Sequence, residues 1–327
     1  MSNERTYISR GDLIDLYHKL REKGFLQLKE KLSFSGNTRS KSKWNNEISS
    51  SHFWDIPAVL KRWNEKISGN PDLDYETYFT EKYLYSKKNL HLLSIGCGNG
   101  NRERRFASFP NFDTIEGIDY AAQQIAEAKE SALIEKMENL IYHTGDFLDF
   151  PLLREQYDVI LFNSSLHHFK NIDVLMRSRV IPLLKQDGFL VIFEYVGPNR
   201  LQWKKEQLKV ANDVLKNIPL SYRKRYKSNS IKKKIYRPGL LRMLLNDPSE
   251  APASSTILNT LHNHFKIIEE KKVGWDITHL VFKDIAHHFL DDDPKTKDLL
   301  QCIFQKEDEY LQYSGNSDAV FGIYQLP

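Results

Sequence analysis

The residues that could do chemistry stand just after short apolar runs. His91-Leu-Leu-Ser-Ile95 leads into Gly96-Cys97-Gly98-Asn99-Gly100, three glycines spaced two apart, with polar helix formers behind them. Glycine at such positions takes positive φ at little cost and lets backbone N–H groups approach a ligand closely. Gly117-Ile118-Asp119-Tyr120 then places a carboxylate about twenty residues past the loop, where it can accept hydrogen bonds from a ribose diol. Thr144-Gly145-Asp146-Phe147 adds a carboxylate able to accept from the exocyclic amine of adenine and a ring able to pack on the base. Asn163-Ser164-Ser165-Leu166-His167-His168-Phe169 contributes an amide, hydroxyls and two imidazoles, and Glu194-Tyr195 an acid and a phenol. An imidazole titrates near neutral pH, so His167 or His168 could serve as a general base, with Glu194 as the next candidate.

Other chemistries fit less well. Asn101 stands where the dehydrogenase fingerprint G-x-G-x-x-G needs its third glycine, and no Lys-Ser/Thr follows the loop as nucleotide triphosphate hydrolysis would require. No third and fourth ligand accompany the histidine pair at a metal-binding spacing, so no metal is expected. Cys97 and Cys302 lie far apart and suggest neither a disulfide framework nor a zinc site, which fits a reducing cytosol.

The elements that position these groups alternate. Strands are expected at Leu90–Ile95, Thr114–Ile118, Leu140–His143, Tyr157–Asn163 and Phe189–Tyr195, and helices at Arg102–Phe109, Ala121–Lys136, Leu152–Gln156 and Val174–Leu184. Such alternation forces right-handed crossovers and a parallel sheet covered on both faces, with ligands at the carboxyl ends of the strands. Ahead of this core the sequence predicts a helix over 1–34, a polar linker over 33–43, and an aromatic-rich helical unit from Trp44 to Ile67. A third helix is expected at Tyr75–Tyr85. The aromatics read either as helix packing or as a lid over the site. Behind the core come a helix at Trp203–Asn217 and the most basic stretch of the chain, Arg223 to Arg237. A helix from Asp247 to His264 capped by Ser249 is expected next, then a hairpin of Phe265–Val273 with His279–Phe282. The tail, Asp284–Leu290 and Thr296–Tyr313, reads as helical and could pack on the N-terminal helices or form a homodimer contact.

The order and spacing of the strand-end groups resemble the class I S-adenosylmethionine-dependent methyltransferases. The resemblance runs from about Leu90 to Tyr195 and implies an α/β, Rossmann-like seven-stranded methyltransferase sheet. It also implies roles. Gly96, Cys97, Gly98, Asn99 and Gly100 would face the methionine part and ribose of S-adenosylmethionine. Asp119 with Tyr120 would grip the ribose, Asp146 and Phe147 would border adenine, and Asn163 with Ser164 would face the sulfonium. More loosely, Ile67-Ser-Gly-Asn-Pro71, Glu194 to Trp203 and Asp247-Pro-Ser-Glu-Ala251 resemble a bacterial subset associated with glycan or secondary-metabolite assembly. The expected organisation is an N-terminal helical cap (1–86), a core with the cofactor site (87–196), an insertion bearing the acceptor site or a lid (197–250), and completion of the sheet (251–327).

Composition bounds the partners. The chain has 327 residues, 40% hydrophobic and 28% charged, with net charge +4. No apolar run approaches the ~18 residues that cross a bilayer, and the N-terminus lacks an apolar signal core, so a cytosolic enzyme is expected. Tyr195, Arg200, Trp203, Arg223, Lys224 and Arg225 are the candidates for binding an acceptor, which a basic stretch would favour as an anionic small molecule or sugar. Methylation of oxygen is favoured over nitrogen. An RNA or DNA methyltransferase using the 223–237 stretch, and a non-catalytic cofactor-binding scaffold, are the rival readings; nucleic acid is disfavoured because no recognised binding module accompanies the patch.

Overall fold

The computed structural model describes residues 5–14, 52–151, 156–226, 228 and 230–327. Most of the first expected helix, the linker after it, Trp44 and most of the short helix at 152–156 lie outside the described residues. The chain divides into two compact units, one of residues 64–196, 251–271 and 320–327, the other of 1–63, 197–250 and 272–319.

The first unit is built on a seven-stranded sheet. Its elements begin with α1 (Pro57–Ser68, shared with the other unit) and α2 (Tyr75–Tyr83), followed by β1 (Leu90–Ile95), α3 (Asn101–Ala107), β2 (Phe112–Asp119), α4 (Ala122–Ile134) and β3 (Leu140–Thr144). Next come β4 (Tyr157–Asn163), α5 (residues 172–183, with a π turn at Met176–Val180) and β5 (Leu184–Tyr195). The central strands read as near-continuous apolar runs because both faces of the sheet are covered: Leu92, Leu93, Val159, Ile160, Leu161, Leu190, Val191 and Ile192 are all fully buried. β1 pairs in parallel with β2 and β4, β2 with β3, and β4 with β5. The strand order is β3-β2-β1-β4-β5-β7-β6, which reverses between β1 and β4. Ligands of such sheets bind at that reversal.

The later elements are α6 (Lys205–Asn217), α7 (Leu240–Asn246), α8 (Ile257–His264), β6 (Lys266–Gly274), α9 (Thr278–Phe282), α10 (Pro294–Ser314) and β7 (Ala319–Gln325). Two expectations change here. His279–Phe282 is not the partner strand of a hairpin but the body of α9. Glu307 on α10 causes this: its Oε1 accepts from Ile277 N, Thr278 N and Thr278 Oγ1 at 3.0, 3.0 and 2.9 Å, capping the helix from afar. The strand that enters the sheet is instead Ala319-Val-Phe-Gly-Ile-Tyr-Gln325, buried along almost its whole length. The helix expected from Asp247 starts only at Ile257, because Ser249 N and Oγ both donate to Asp247 Oδ1 and close a turn.

In the second unit Phe53 and Trp63 of the aromatic run are core, while Trp54 is 45% exposed. Phe53, Trp63 and Trp275 meet with centroids 5.3 to 5.4 Å apart and are 3 to 7% exposed. They contribute area and edge-to-face contacts to packing, as the plainer of the two readings holds.

Candidate functional site

The glycine loop after β1 has a specific reason for each glycine. Gly96, Gly98 and Gly100 have φ of 73°, 54° and 74°. A Cβ on Gly96 would stand 2.5 Å from Ser165 Cβ, and one on Gly100 would stand 2.3 Å from the Tyr142 hydroxyl. Tyr142 donates to Gly100 O at 3.2 Å, so its ring, rising from β3, is a post under the loop. Nothing in the motif pattern pointed to Tyr142. The available signal was Gly117, its neighbour in the β2–β3 register, since a glycine inside a strand marks a close approach. Burial, with Glu103 and Asp119 nearby, holds the Cys97 thiol well above its ordinary pKa, so it is not an activated nucleophile.

Asp119 ends β2 and ties the loop down. Its Oδ2 accepts from Gly98 N at 2.9 Å and its Oδ1 from Ala121 N at 2.8 Å, at the start of α4. Burial pushes its pKa up, against the pull of the N–H groups of Ala121, Gly98 and Tyr120. A carboxylate has about four acceptor positions, so the pair of oxygens keeps capacity for a diol. Tyr120 beside it is half-buried. At β3 the reading changes. Asp146 Oδ1 accepts from Leu148 N at 3.0 Å, but the Phe147 ring, expected to lie against adenine, is 4% exposed and belongs to the main core. It packs against Phe169 and under the Arg179 guanidinium, while Leu148 is the half-exposed neighbour. Two apolar positions compete for one inward direction in this turn, and the larger ring takes it.

At the end of β4, Ser164 sits at φ 54° and Ser165 Oγ donates to Ile95 O, which joins this turn to β1. Glu194 on β5 is wholly buried and gathers the turn around itself. Its Oε1 accepts from Ser165 N and, at 2.6 Å, from Leu166 N; its Oε2 lies 2.7 Å from His167 Nδ1. A carboxylate already taking two backbone N–H groups acts as acceptor, so Nδ1 carries the hydrogen and His167 is fixed in tautomer and orientation. His167 is 8% exposed, against a half-buried His168 whose ring lies 4.3 Å away. Tyr195 is 2% exposed with its ring edge-on to His167.

The other acceptor candidates belong to the second unit, where the protein itself engages part of the basic stretch. Arg225 pairs with Asp284, and Lys232, 3% exposed, donates to the carbonyls of Leu280, Val281 and Lys283 at the end of α9. Arg237 Nε donates to Trp203 O, and Trp203 itself is buried. Arg200 donates to the carbonyls of Pro248 and Glu250, both at 2.8 Å. Lys224 bridges to Ile231 across a short antiparallel pair, with Arg223 just before it. Within 223–237, Arg225, Lys232 and Arg237 are thus engaged by carbonyls and a carboxylate, while Lys224, Lys233 and Lys234 are exposed.

The donor set fits a nucleoside bearing an amino acid better than a dinucleotide. The loop offers a backbone cradle that is open at Gly98, where a Cβ would meet nothing nearer than Gln124 Oε1 at 3.8 Å, and Asp119 waits at its rim.

Comparison with known proteins agrees. Residues 86–240 match the family model described as a methyltransferase domain. A sterol 24-C-methyltransferase of Debaryomyces hansenii is 23% identical over 211 residues, which are 62% of this chain and 55% of that protein. A malonyl-[acyl-carrier protein] O-methyltransferase of Bacillus cereus is 27% identical over 122 residues, 37% of this chain and 43% of that protein. The chain thus spans about half the length of the curated relatives it matches. Among solved structures, the [4+2]-cyclase SpnF is similar at a TM-score of 0.46 and 16% identity, over 84% of this chain and 93% of that one. Among the described residues no helix is long and apolar enough to cross a membrane. With the seven-stranded order and the groups at the ends of β1, β2 and β4, the match marks residues 86–240 as similar to a methyltransferase domain on a Rossmann-like sheet.

Proposed function

We propose that the protein transfers a methyl group from S-adenosylmethionine to a small-molecule acceptor, with oxygen as the target atom. The observation that carries the reading is the tie between Gly98 N and Asp119 Oδ2 at the point where strand order reverses. It sets the open turn at Gly98 and a diol-accepting carboxylate side by side, the N–H groups of Gly96 and Cys97 being spent on Ile118 O and that of Gly100 on Cys97 O. The bound donor supplies a sulfonium methyl, and methyl transfer is an in-line displacement that needs positioning and a dry site. Asp119 and the glycine loop orient the donor, and Asn163 and Ser164 stand at the end of β4. His167, held by Glu194, takes the proton of a hydroxyl acceptor at Nε2, whereas a carboxylate acceptor is already ionised and attacks without a base; Glu194 acts through His167 and is a positioning residue. The two curated relatives named above methylate a sterol carbon and a carrier-bound malonyl group, and the second supports an oxygen target. Support for a nucleic-acid acceptor is reduced, since Arg225, Lys232 and Arg237 are engaged within the protein and only Lys224, Lys233 and Lys234 of the described basic residues there are exposed.

Calorimetry with S-adenosylmethionine and S-adenosylhomocysteine tests the donor, and binding by neither sinks the reading. Transfer of labelled methyl to a panel of hydroxy and carboxylic acids tests the acceptor class. His167→Gln should lower kcat by about 10²–10⁴-fold while donor affinity stays the same. A variant with full activity would remove the base from the mechanism.

A further inference from the structure

Residues 5–14 read Arg-Thr-Tyr-Ile-Ser-Arg-Gly-Asp-Leu-Ile, and residues 233–245, which include α7, read Lys-Lys-Ile-Tyr-Arg-Pro-Gly-Leu-Leu-Arg-Met-Leu-Leu. Both stretches belong to the second unit. Ser9 and Asp12 cap each other's backbone N–H groups at 2.7 and 3.2 Å, which starts a helical turn at Arg10. The first stretch is then tied to the second. Leu240 N donates to Thr6 O at 2.8 Å, Leu241 N to Tyr7 O at 3.1 Å, and Gly239 N to Asp12 Oδ1 at 3.0 Å. Glycine is required at this seam, since a Cβ on Gly239 would stand 2.0 Å from Asp12 Oδ2 and 2.7 Å from Tyr7 O.

A segment fixed in this way usually turns its large apolar side chains inward. Here Tyr7, Ile8, Leu13 and Ile14 are 36 to 66% exposed. On α7 the inward residue is Met243, whereas Leu241, Leu244 and Leu245, spaced i, i+3 and i+4 on one face, are 43 to 53% exposed. The polarity of α7 is therefore the reverse of that of a helix whose outer face meets water. The charge beside these side chains has one sign. Arg5, Arg10, Lys233 and Lys234 are exposed. Lys234 Nζ lies 5.5 Å from the centre of the Tyr236 ring, and Tyr236 Cβ is 2.8 Å from where a Cβ on Gly11 would stand. Asp12 is the one carboxylate in either stretch, and it already accepts from two backbone N–H groups and pairs with Arg242 Nε at 3.1 Å.

We propose that these two stretches form a surface that docks the protein on an anionic lipid bilayer. The exposed apolar side chains enter the boundary between head groups and acyl chains, and the four cations lie among the lipid phosphates. Protein interfaces are depleted in lysine, whereas lysine and arginine beside leucine and isoleucine make up a segment that lies on a bilayer. A neutral apolar partner would leave the cations unmatched, and a purely acidic one would leave the leucines in water. No residue at the ends of β1, β2 and β4 takes part, so the surface stands or falls apart from methyl transfer.

The test uses the full chain, sedimented with vesicles of phosphatidylcholine alone or with about 30% phosphatidylglycerol, at about 0.1 M salt. The parent should bind the anionic vesicles at least about 10-fold more tightly than the neutral ones. Leu244→Gln with Leu245→Gln should weaken that binding about 10-fold or more, and so should Ile8→Gln with Leu13→Gln. Lys233→Gln with Lys234→Gln should weaken it about 10- to 30-fold. All six positions are exposed, so the variants should melt like the parent; if one pair fails to fold, the other two decide. A parent that does not bind anionic vesicles overturns the proposal. Losses confined to the lysine pair would mean adsorption by charge without insertion, and would also overturn it. Binding to polyglutamate but not to vesicles would assign the surface to an acidic protein instead. A parent that is dimeric in sedimentation equilibrium, and that the Leu244 and Leu245 changes make monomeric without altering vesicle binding, would assign it to a second copy of the chain.

Discussion

Replacing Glu103 by glutamine should abolish a pH-dependent loss of stability worth about 3 kcal/mol. Glu103 lies on α3 at 1% exposure. Its Oε1 accepts from Ser94 Oγ on β1, while Oε2 has no hydrogen-bond partner among the described residues. Burial pushes its pKa from 4.5 to about 7, against the opposing pull of Ser94, its own backbone N–H, Arg102 and Arg104. That is a rise of about 2.5 units, and at about 1.36 kcal/mol per unit it amounts to about 3 kcal/mol. The folded protein binds this proton more tightly than the unfolded chain does. Its contribution is therefore complete below about pH 4.5, declines as pH rises, and is gone above about pH 7. Glutamine keeps the acceptor for Ser94 and has no charge to desolvate. Thermal melts of both proteins from pH 4.5 to 8 should show the variant gaining on the parent by about 6–12 °C, at roughly 2–4 °C per kcal/mol for a domain of this size. Parallel curves would mean that Glu103 ionises as readily when folded as when unfolded, and the burial argument would fall.

Other expectations follow from single contacts. Asp119→Ala should weaken S-adenosylhomocysteine binding by about 1.5–3 kcal/mol through loss of charge-assisted hydrogen bonds; unchanged affinity in calorimetry would show that the ribose is held elsewhere. Gly100→Ala forces a side chain into φ 74° and onto the Tyr142 hydroxyl, and should cost about 1–3 kcal/mol in chemical denaturation. Lys232→Met removes an ammonium from three carbonyls at the end of α9 and should cost at least about 2 kcal/mol by the same measurement. Asp276 is pushed well above the carboxylate range by burial and by the negative Asp318 and Glu307 around it. It stabilises when protonated, so Asp276→Asn should match the parent near pH 5 and exceed it in stability near pH 9.

The sheet was legible because its signal is local. The sequence bounds of β4 and β1 match the fold to the residue, since a strand covered on both faces is a near-continuous apolar run. The strand-end groups followed from the same reasoning, as glycines and carboxylates in that order have few other uses. What escaped depended on partners distant in sequence. α9 is set by Glu307, about thirty residues away, and a window over Thr278–Phe282 contains no trace of it. Tyr75 and Glu76 looked like ordinary helix residues until Asn163 and Arg102 were brought beside them. β7 is a different case: Ala319-Val-Phe-Gly-Ile-Tyr carries a strand signal as plain as that of β1, while the hairpin expected at 279–282 competes for the same place in the sheet.

The basic stretch shows why charge in a sequence is weak evidence about an acceptor. Counted along the chain, Arg200 and the cluster from Arg223 to Arg237 look like a surface waiting for an anion. In the fold, Lys232 serves three carbonyls, Arg200 two, Arg237 one, and Arg225 a carboxylate. A buried carbonyl without a donor costs about 1–3 kcal/mol, so a long cationic side chain that reaches several of them at once is an economical way to close irregular loops. An anionic acceptor therefore cannot be argued from net charge in this region. The argument for an oxygen target rests on one imidazole instead. His167 is oriented by a buried glutamate that also accepts two backbone N–H groups, so changing Glu194 to Gln would disturb the turn and the base together. His167→Gln leaves those two backbone contacts in place, and is the substitution that separates proton transfer from the integrity of the turn.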